Sequence, residues 1–172
     1  FIISNIEEAA PADLADIMNN AIDLCIKSAK LKNTRVDFKQ CASSFPLFCR
    51  SHSLQQVFIK MIENAVTAMA GKGSIAIDIT AEEQDYRIDF RDTGPGIPET
   101  VKPELFLPFK ANGPGKDCGS GLYLSHNIIS LHGGAITLDD SSRQGAHFII
   151  KIPKTTQGGM SDDKKQIDTN SR

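Results

Sequence analysis

The chain has 172 residues, 40% of them hydrophobic and 23% charged, with a formal net charge of −2. This is enough for one domain with a real core plus some tail. The charge balance speaks against a nucleic-acid or membrane-surface role, because no basic excess exists to neutralise phosphates or anionic lipid. No apolar stretch reaches the length of a membrane span, and no signal peptide is visible. The four cysteines, Cys25, Cys41, Cys49 and Cys118, have no CxxC spacing and read as free, buried thiols of a reducing compartment. The first residue is Phe1 rather than Met, which predicts a fragment excised from a longer protein.

Residues 1–10 read as a short lead. Pro11 suits a first helical position and Asp13 a first turn. Leu14, Ile17, Met18, Ala21, Leu24 and Cys25 then keep helical spacing to about Leu31. Residues 35–38 and 46–49 read as short strands around a loop. Ser53 with Gln56 resembles a capping box, and the helix behind it buries Leu54, Val57, Phe58, Met61, Ala65 and Met69 before Gly71-Lys72-Gly73 ends it. Ile75, Ile77 and Ile79 alternate as a strand; after a turn near residues 83–85 the chain returns as the alternating run 86–91. The segment 98–118 is irregular, and five of the eight prolines lie between Pro95 and Pro114. A structureless stretch of that length inside a compact domain suits a functional lid. A helix over about 121–132, closed by Gly133-Gly134, and a last strand pair over 135–138 and 148–152 complete the order. The polar tail beyond Pro153 reads as disordered. The order predicts an α/β sandwich, with helices on one face of a mixed sheet. There is no internal repeat.

Three features carry chemistry. Asp92-Thr93-Gly94-Pro95-Gly96-Ile97 leaves a strand into a glycine turn. A carboxylate there can accept from an amino group such as that of adenine, and glycines let backbone border a flat ligand; an ordinary turn reads the same way. On the second helix Gln56, Lys60, Asn64 and Thr67 or Ala68 share a face opposite the core stripe. An Asn carbonyl can hold Mg²⁺ beside phosphates, and a Lys one turn earlier can touch a phosphate; a solvated helix face is the plainer alternative. Gly119-Ser120-Gly121-Leu122 opens the third helix, where free N–H groups favour an anion. The preceding Asn112-Gly113-Pro114-Gly115-Lys116 is flexible and cationic, which suits a lid, or simply a connector.

In this order the features resemble the catalytic, ATP-binding domain of two-component sensor histidine kinases, within the wider superfamily of gyrase, chaperone and mismatch-repair ATPases. Glu63-Asn64-Ala65 resembles the N box, residues 92–97 the G1 box, Phe106-Leu107-Pro108-Phe109 the F box and residues 119–125 the G2 box. Leu131-His132-Gly133-Gly134 and Gly145-Ala146-His147-Phe148 resemble the segments that close the fold. The resemblance covers roughly residues 11–153, with 1–10 a lead-in and 154–172 a tail. It implies a Bergerat-type two-layer α/β sandwich with a left-handed βαβ crossover and a long ATP lid over 108–118. It implies that Asp92 binds the adenine amino group, that Gly94, Gly96 and Ile97 border the base, and that Asn64 holds Mg²⁺. Gly119, Ser120, Gly121 and Leu122 would flank the phosphates, with Lys116 over them. Phe106 and Phe109 would anchor the lid. The implied activity is transfer of the ATP γ-phosphoryl group to a histidine on a separate helical hairpin, then relay to a response regulator receiver domain. The implied setting is a cytoplasmic domain, itself monomeric, of a protein free to carry a membrane anchor.

The chain departs from the pattern at several places. Lys60 stands where these kinases usually carry another Asn and hydrolytic relatives a Glu, so a hydrolytic ATPase is the weaker reading; a degenerate binding module is the other rival. Thr67 replaces a common Lys, Ala146 a common Thr, and Arg50 an acidic residue before the N-box helix. None of His52, His126, His132 and His147 sits in a His-Glu or His-Asp pair on a leading helix, so structural or surface roles are expected for all four and the phosphoacceptor is expected elsewhere.

Overall fold

The computed structural model describes residues 7–28, 31, 33–108, 118–141 and 144–154. The elements run β1 (Ala10–Asp13), α1 (Leu14–Lys27), β2 (Thr34–Gln40), β3 (Pro46–Cys49), α2 (Ser51–Ala68), β4 (Gly73–Ala81), β5 (Asp85–Asp92), a 3₁₀ turn (Lys102–Glu104), α3 (Cys118–Leu131), β6 (Ala135–Leu138) and β7 (His147–Pro153). The main sheet has the order β2-β4-β5-β7-β6. β2 and β4 are parallel and every other pair is antiparallel. The three helices cover one face, so the expected mixed α/β sandwich forms. The lead residues 1–6, Phe109, Lys116 and the tail 155–172 lie outside the described residues.

The core follows the two periodicities of the sequence. Ile75, Ile77 and Ile79 of β4 and Ile88 and Phe90 of β5 point into it, and Leu14, Met18 and Ala21 of α1 meet them with Leu54, Phe58 and Ile62 of α2. The other face of the sheet carries ion pairs instead. Asp89 takes Arg87 Nε at 2.8 Å, Arg91 Nη2 at 3.1 Å and His147 Nε2 at 2.6 Å. Burial pushes the Asp89 carboxyl up, but the bonds from Arg87 and His147 outweigh it and leave it below the usual carboxylate range.

Three local expectations are corrected. The chain enters through a strand, not a helix: residues 10–13 pair with β3 in the register Ala10↔Cys49 to Asp13↔Pro46. Asp13 is therefore the N-cap of α1, accepting from Ala15 N–H at 2.9 Å, and its second oxygen accepts from Phe45 N–H at 2.8 Å and Ser44 Oγ–H at 2.6 Å. The capping box at Ser53 does not form, because α2 begins two residues earlier and Arg50 at its N-cap offers no acceptor. The Glu7 carboxylate serves instead, taking His52 N–H at 2.6 Å, Ser53 N–H at 2.9 Å and Ser53 Oγ–H at 2.7 Å. A segment remote in sequence thus supplies the acid that Arg50 lacks. Cys41 is exposed on the bend after edge strand β2, unlike the buried Cys25 and Cys49.

Candidate functional site

A cavity of about 220 Å³ opens between α2, the end of β5, the segment 96–105, the start of α3 and β7. Its walls are largely apolar, with Met61, Ala65, Ile75, Phe90, Leu105 and Phe148 among them. Asp92, Gly96, Ile97, Asn64 and Leu122 line the same space, so the structure brings together residues separated by 58 positions from Asn64 to Leu122 (122 − 64). Such a pocket, apolar with a few convergent polar groups, suits a flat heterocycle.

Asp92 is fixed by its own loop. Oδ1 accepts from Gly94 N–H at 2.8 Å and from Ala146 N–H at 3.2 Å. Asp92 N–H in turn donates to Ala146 O at 3.0 Å. No described residue bonds Oδ2, which is left to accept from a ligand. Thr93 is a brace rather than a ligand group: its hydroxyl accepts from Ser74 N–H at 3.0 Å and contacts Met69 Sδ at 3.4 Å. The glycines behind the carboxylate are required by crowding. Gly145 has φ +71°, and a Cβ there would stand 1.7 Å from Asp92 O. Gly96 has φ +79° and faces Gly145 O at 3.1 Å by the same measure.

At the other end of the cavity Asn64 meets the start of α3. Both ends of its amide lie 3.6 Å from where a Gly121 Cβ would be, as does Lys60 Cδ. Asn64 Nδ2 is buried with no partner among the described residues. A buried orphan amide is costly unless a ligand completes it. Its two ends have the same shape, so either oxygen or nitrogen can be presented. Among the described residues no cluster of three His, Cys, Asp or Glu could hold a metal. An amide oxygen presented there is a hard donor, suited to a cation as one ligand among several. Lys60 Nζ bonds Glu63 Oε2 at 2.9 Å on the same helix. Among the described residues α3 runs from Cys118, three residues before the expected start, so Gly119, Ser120 and Gly121 lie toward its N-terminal end.

Two braces frame the mouth. Phe106 packs on His126 with ring centroids 5.6 Å apart and edge-on to Phe148 at 6.4 Å. Lys102 joins Glu99 to Asp140 (2.7 Å), tying the segment after Gly96 to the β6–β7 turn. The histidines pack into this frame or lie at the surface. His132 Nε2 accepts from Arg50 N–H at 3.1 Å while Nδ1 faces Ile128 O at 2.8 Å. His147 lies between Asp89 and Asp139, and His52 is exposed beside Glu7. The sequence pattern places Met61 and Ala65 on the core stripe and Ala68 on the opposite face, whereas all three line the cavity. The available signal was the small pair Ala65 and Ala68 on a helix that otherwise buries large residues, which leaves room for a ligand.

The fold and cavity together define a two-layer α/β domain with a largely apolar ligand pocket between α2, α3 and the sheet. The chain belongs to the family described as histidine kinase-, DNA gyrase B-, and HSP90-like ATPase, which matches residues 49–156. It is 32% identical over 141 residues to sporulation kinase E of Bacillus subtilis, covering 81% of this chain and 19% of that protein. The catalytic domain of histidine kinase ThkA, nucleotide-free, superposes with a TM-score of 0.77 at 27% identity, covering 87% of this chain and 97% of that one. ThkA in complex with response regulator protein TrrA gives a TM-score of 0.72 at 25% identity, covering 88% and 43%. The chain spans less than a third of the curated relatives it first matches, 19%, 17% and 28% of their lengths. No helix among the described residues is long and apolar enough to cross a membrane.

Proposed function

We propose that this chain is the ATP-binding catalytic domain of a sensor histidine kinase. The observation that carries the reading is the Asp92 carboxylate, pinned through Oδ1 and open at Oδ2 on an apolar cavity. Asp92 accepts from the adenine amino group, Gly94 and Gly96 let backbone border the base, and Ile97 packs on it. Asn64 and Lys60 face the phosphates together with the α3 start at Gly119, Ser120, Gly121 and Leu122. Phe109 and Lys116 belong to the lid over them. Asn64 would hold Mg²⁺, which offsets phosphate charge when bound.

These residues position; they contribute no nucleophile. None of the four histidines forms a His-Glu or His-Asp pair on a leading helix, so we assign the acceptor histidine to a hairpin outside this domain. ThkA is solved with a response regulator; a receiver domain is the partner we assign for the onward transfer. The domain is monomeric by itself and cytoplasmic. Nucleotide titration tests the reading. ATP binds, and GTP binds at least about tenfold more weakly, because guanine presents a carbonyl where Asp92 needs a donor. Equal affinities overturn it. Steady phosphate release by the domain alone would favour a hydrolytic ATPase instead.

A further inference from the structure

Lys60 and Glu63 form an ion pair at the phosphate end of the cavity. The Lys60 side chain is 42% exposed and that of Glu63 21%. A pair this exposed holds its ammonium weakly. The stem of Lys60 runs beside the start of α3, with Cδ 3.6 Å from where a Gly121 Cβ would be, so it stands at the same end of the cavity as Asn64. Lys carries a compact charge on a flexible four-carbon stem, which suits exchange between two anions. Around it, Asn64 Nδ2 is buried without a partner among the described residues.

We propose that Lys60 is a movable counter-charge, resting on Glu63 in the empty domain and passing to the nucleotide phosphates on binding, so that the domain retains ATP with little dependence on Mg²⁺. This rests on the ATP reading above and deepens it: it assigns this one side chain a share of the charge that the metal otherwise neutralises. The two cations then act on the same phosphates, and each weakens the need for the other. The loss caused by removing Lys60 is therefore larger without Mg²⁺ than with it.

Calorimetric titration of ATP into the parent, Lys60→Gln, Lys60→Arg, Glu63→Gln and the double Lys60→Gln/Glu63→Gln variant, with Mg²⁺ and with chelator, tests this. The parent binds in both buffers. Lys60→Gln loses about five- to tenfold in chelator and about twofold or less with Mg²⁺, while Lys60→Arg stays near the parent. Glu63→Gln frees the ammonium and gains about threefold in chelator, and this gain is reduced in the double variant. A parent that binds only with Mg²⁺, or a Lys60→Gln loss equal in both buffers, overturns the proposal and leaves the adenine site standing. A folded parent that is silent in both buffers overturns the ATP reading, and the proposal with it.

Discussion

Gly145 couples the fold to the site most tightly, and Gly145→Ala measures that coupling. At φ +71° an alanine is strained by about 1 kcal/mol before any contact is considered. Its Cβ would also lie 1.7 Å from Asp92 O and 2.6 Å from the Asp92 carbonyl carbon. Backbone cannot yield as a flexible side-chain tip does, so β7 must retreat by roughly 1.5 Å to restore van der Waals distance. That movement breaks the two bonds between Asp92 and Ala146, at 3.0 and 3.2 Å, each contributing about 1 kcal/mol. The sum is about 3 kcal/mol, or roughly 10 °C in Tm for a domain of this size. ATP binding falls at least about tenfold because Asp92 loses its brace. Gly133→Ala is the control: its φ is +73°, but its Cβ would meet only Pro153 Cγ at 3.7 Å. It loses only the backbone term, about 1 kcal/mol, with nucleotide affinity unchanged. Thermal melts and titrations of both variants decide the matter. Gly145→Ala binding ATP like the parent would refute the reasoning.

Further outcomes follow from the caps and thiols. Glu7→Gln removes a charged acceptor from the start of α2 and lowers stability by about 1 kcal/mol at neutral pH. Burial pushes the Glu7 carboxyl up, but the bonds from Ser53 and His52 win and hold it below its ordinary 4.5. Its contribution is therefore present above about pH 4.5 and lost as pH falls through the folded value. Urea melts of parent and Glu7→Gln should converge in acid; a gap that persists or widens there would contradict the assignment. Asp13 behaves alike: burial opposes ionisation, but the bonds from Ser44, Phe45 and Ala15 lower its carboxyl below 3.8, so Asp13→Asn also loses its penalty only in acid. Burial, helped by the nearby Glu7 charge, pushes the Cys49 thiol up to about 11. In the native protein a maleimide should label Cys41 and spare Cys25 and Cys49, which mass spectrometry of digests reads directly; rapid labelling of Cys49 would contradict its burial.

The strands and helices were legible where one face is apolar with a clear period, as at Ile75, Ile77 and Ile79 or along Leu54, Phe58 and Met61. β1 was not, because Ala10-Pro11-Ala12-Asp13 has no alternation and exists through pairing with β3 some 36 positions on (46 − 10). Asp13 and Pro11 carry helix-start signals, and the signal was real but belonged one step earlier, at the N-cap. The caps of α2 were hidden for the same reason. Glu7 and His132 reach Arg50, His52 and Ser53 across the fold, and no local pattern announces them. At the site, the order of Asn64, Asp92 and Gly121 along the chain was readable. Their geometry was not: the Asn64 amide against Gly121, and the two bonds that pin Asp92 through one oxygen, arise only from α2–α3 packing and the β5–β7 register.

Asp92→Asn tests the central claim most directly. The substitution keeps the shape of the side chain and an oxygen able to accept from Gly94 and Ala146, so the fold and Tm are retained. It replaces the free Oδ2 acceptor with an NH₂ donor facing the adenine amino group. Calorimetric titration of ATP with Mg²⁺ should show a loss of about 10- to 100-fold relative to the parent. Parent-like affinity in a folded Asp92→Asn domain would mean that the base is not read at this carboxylate.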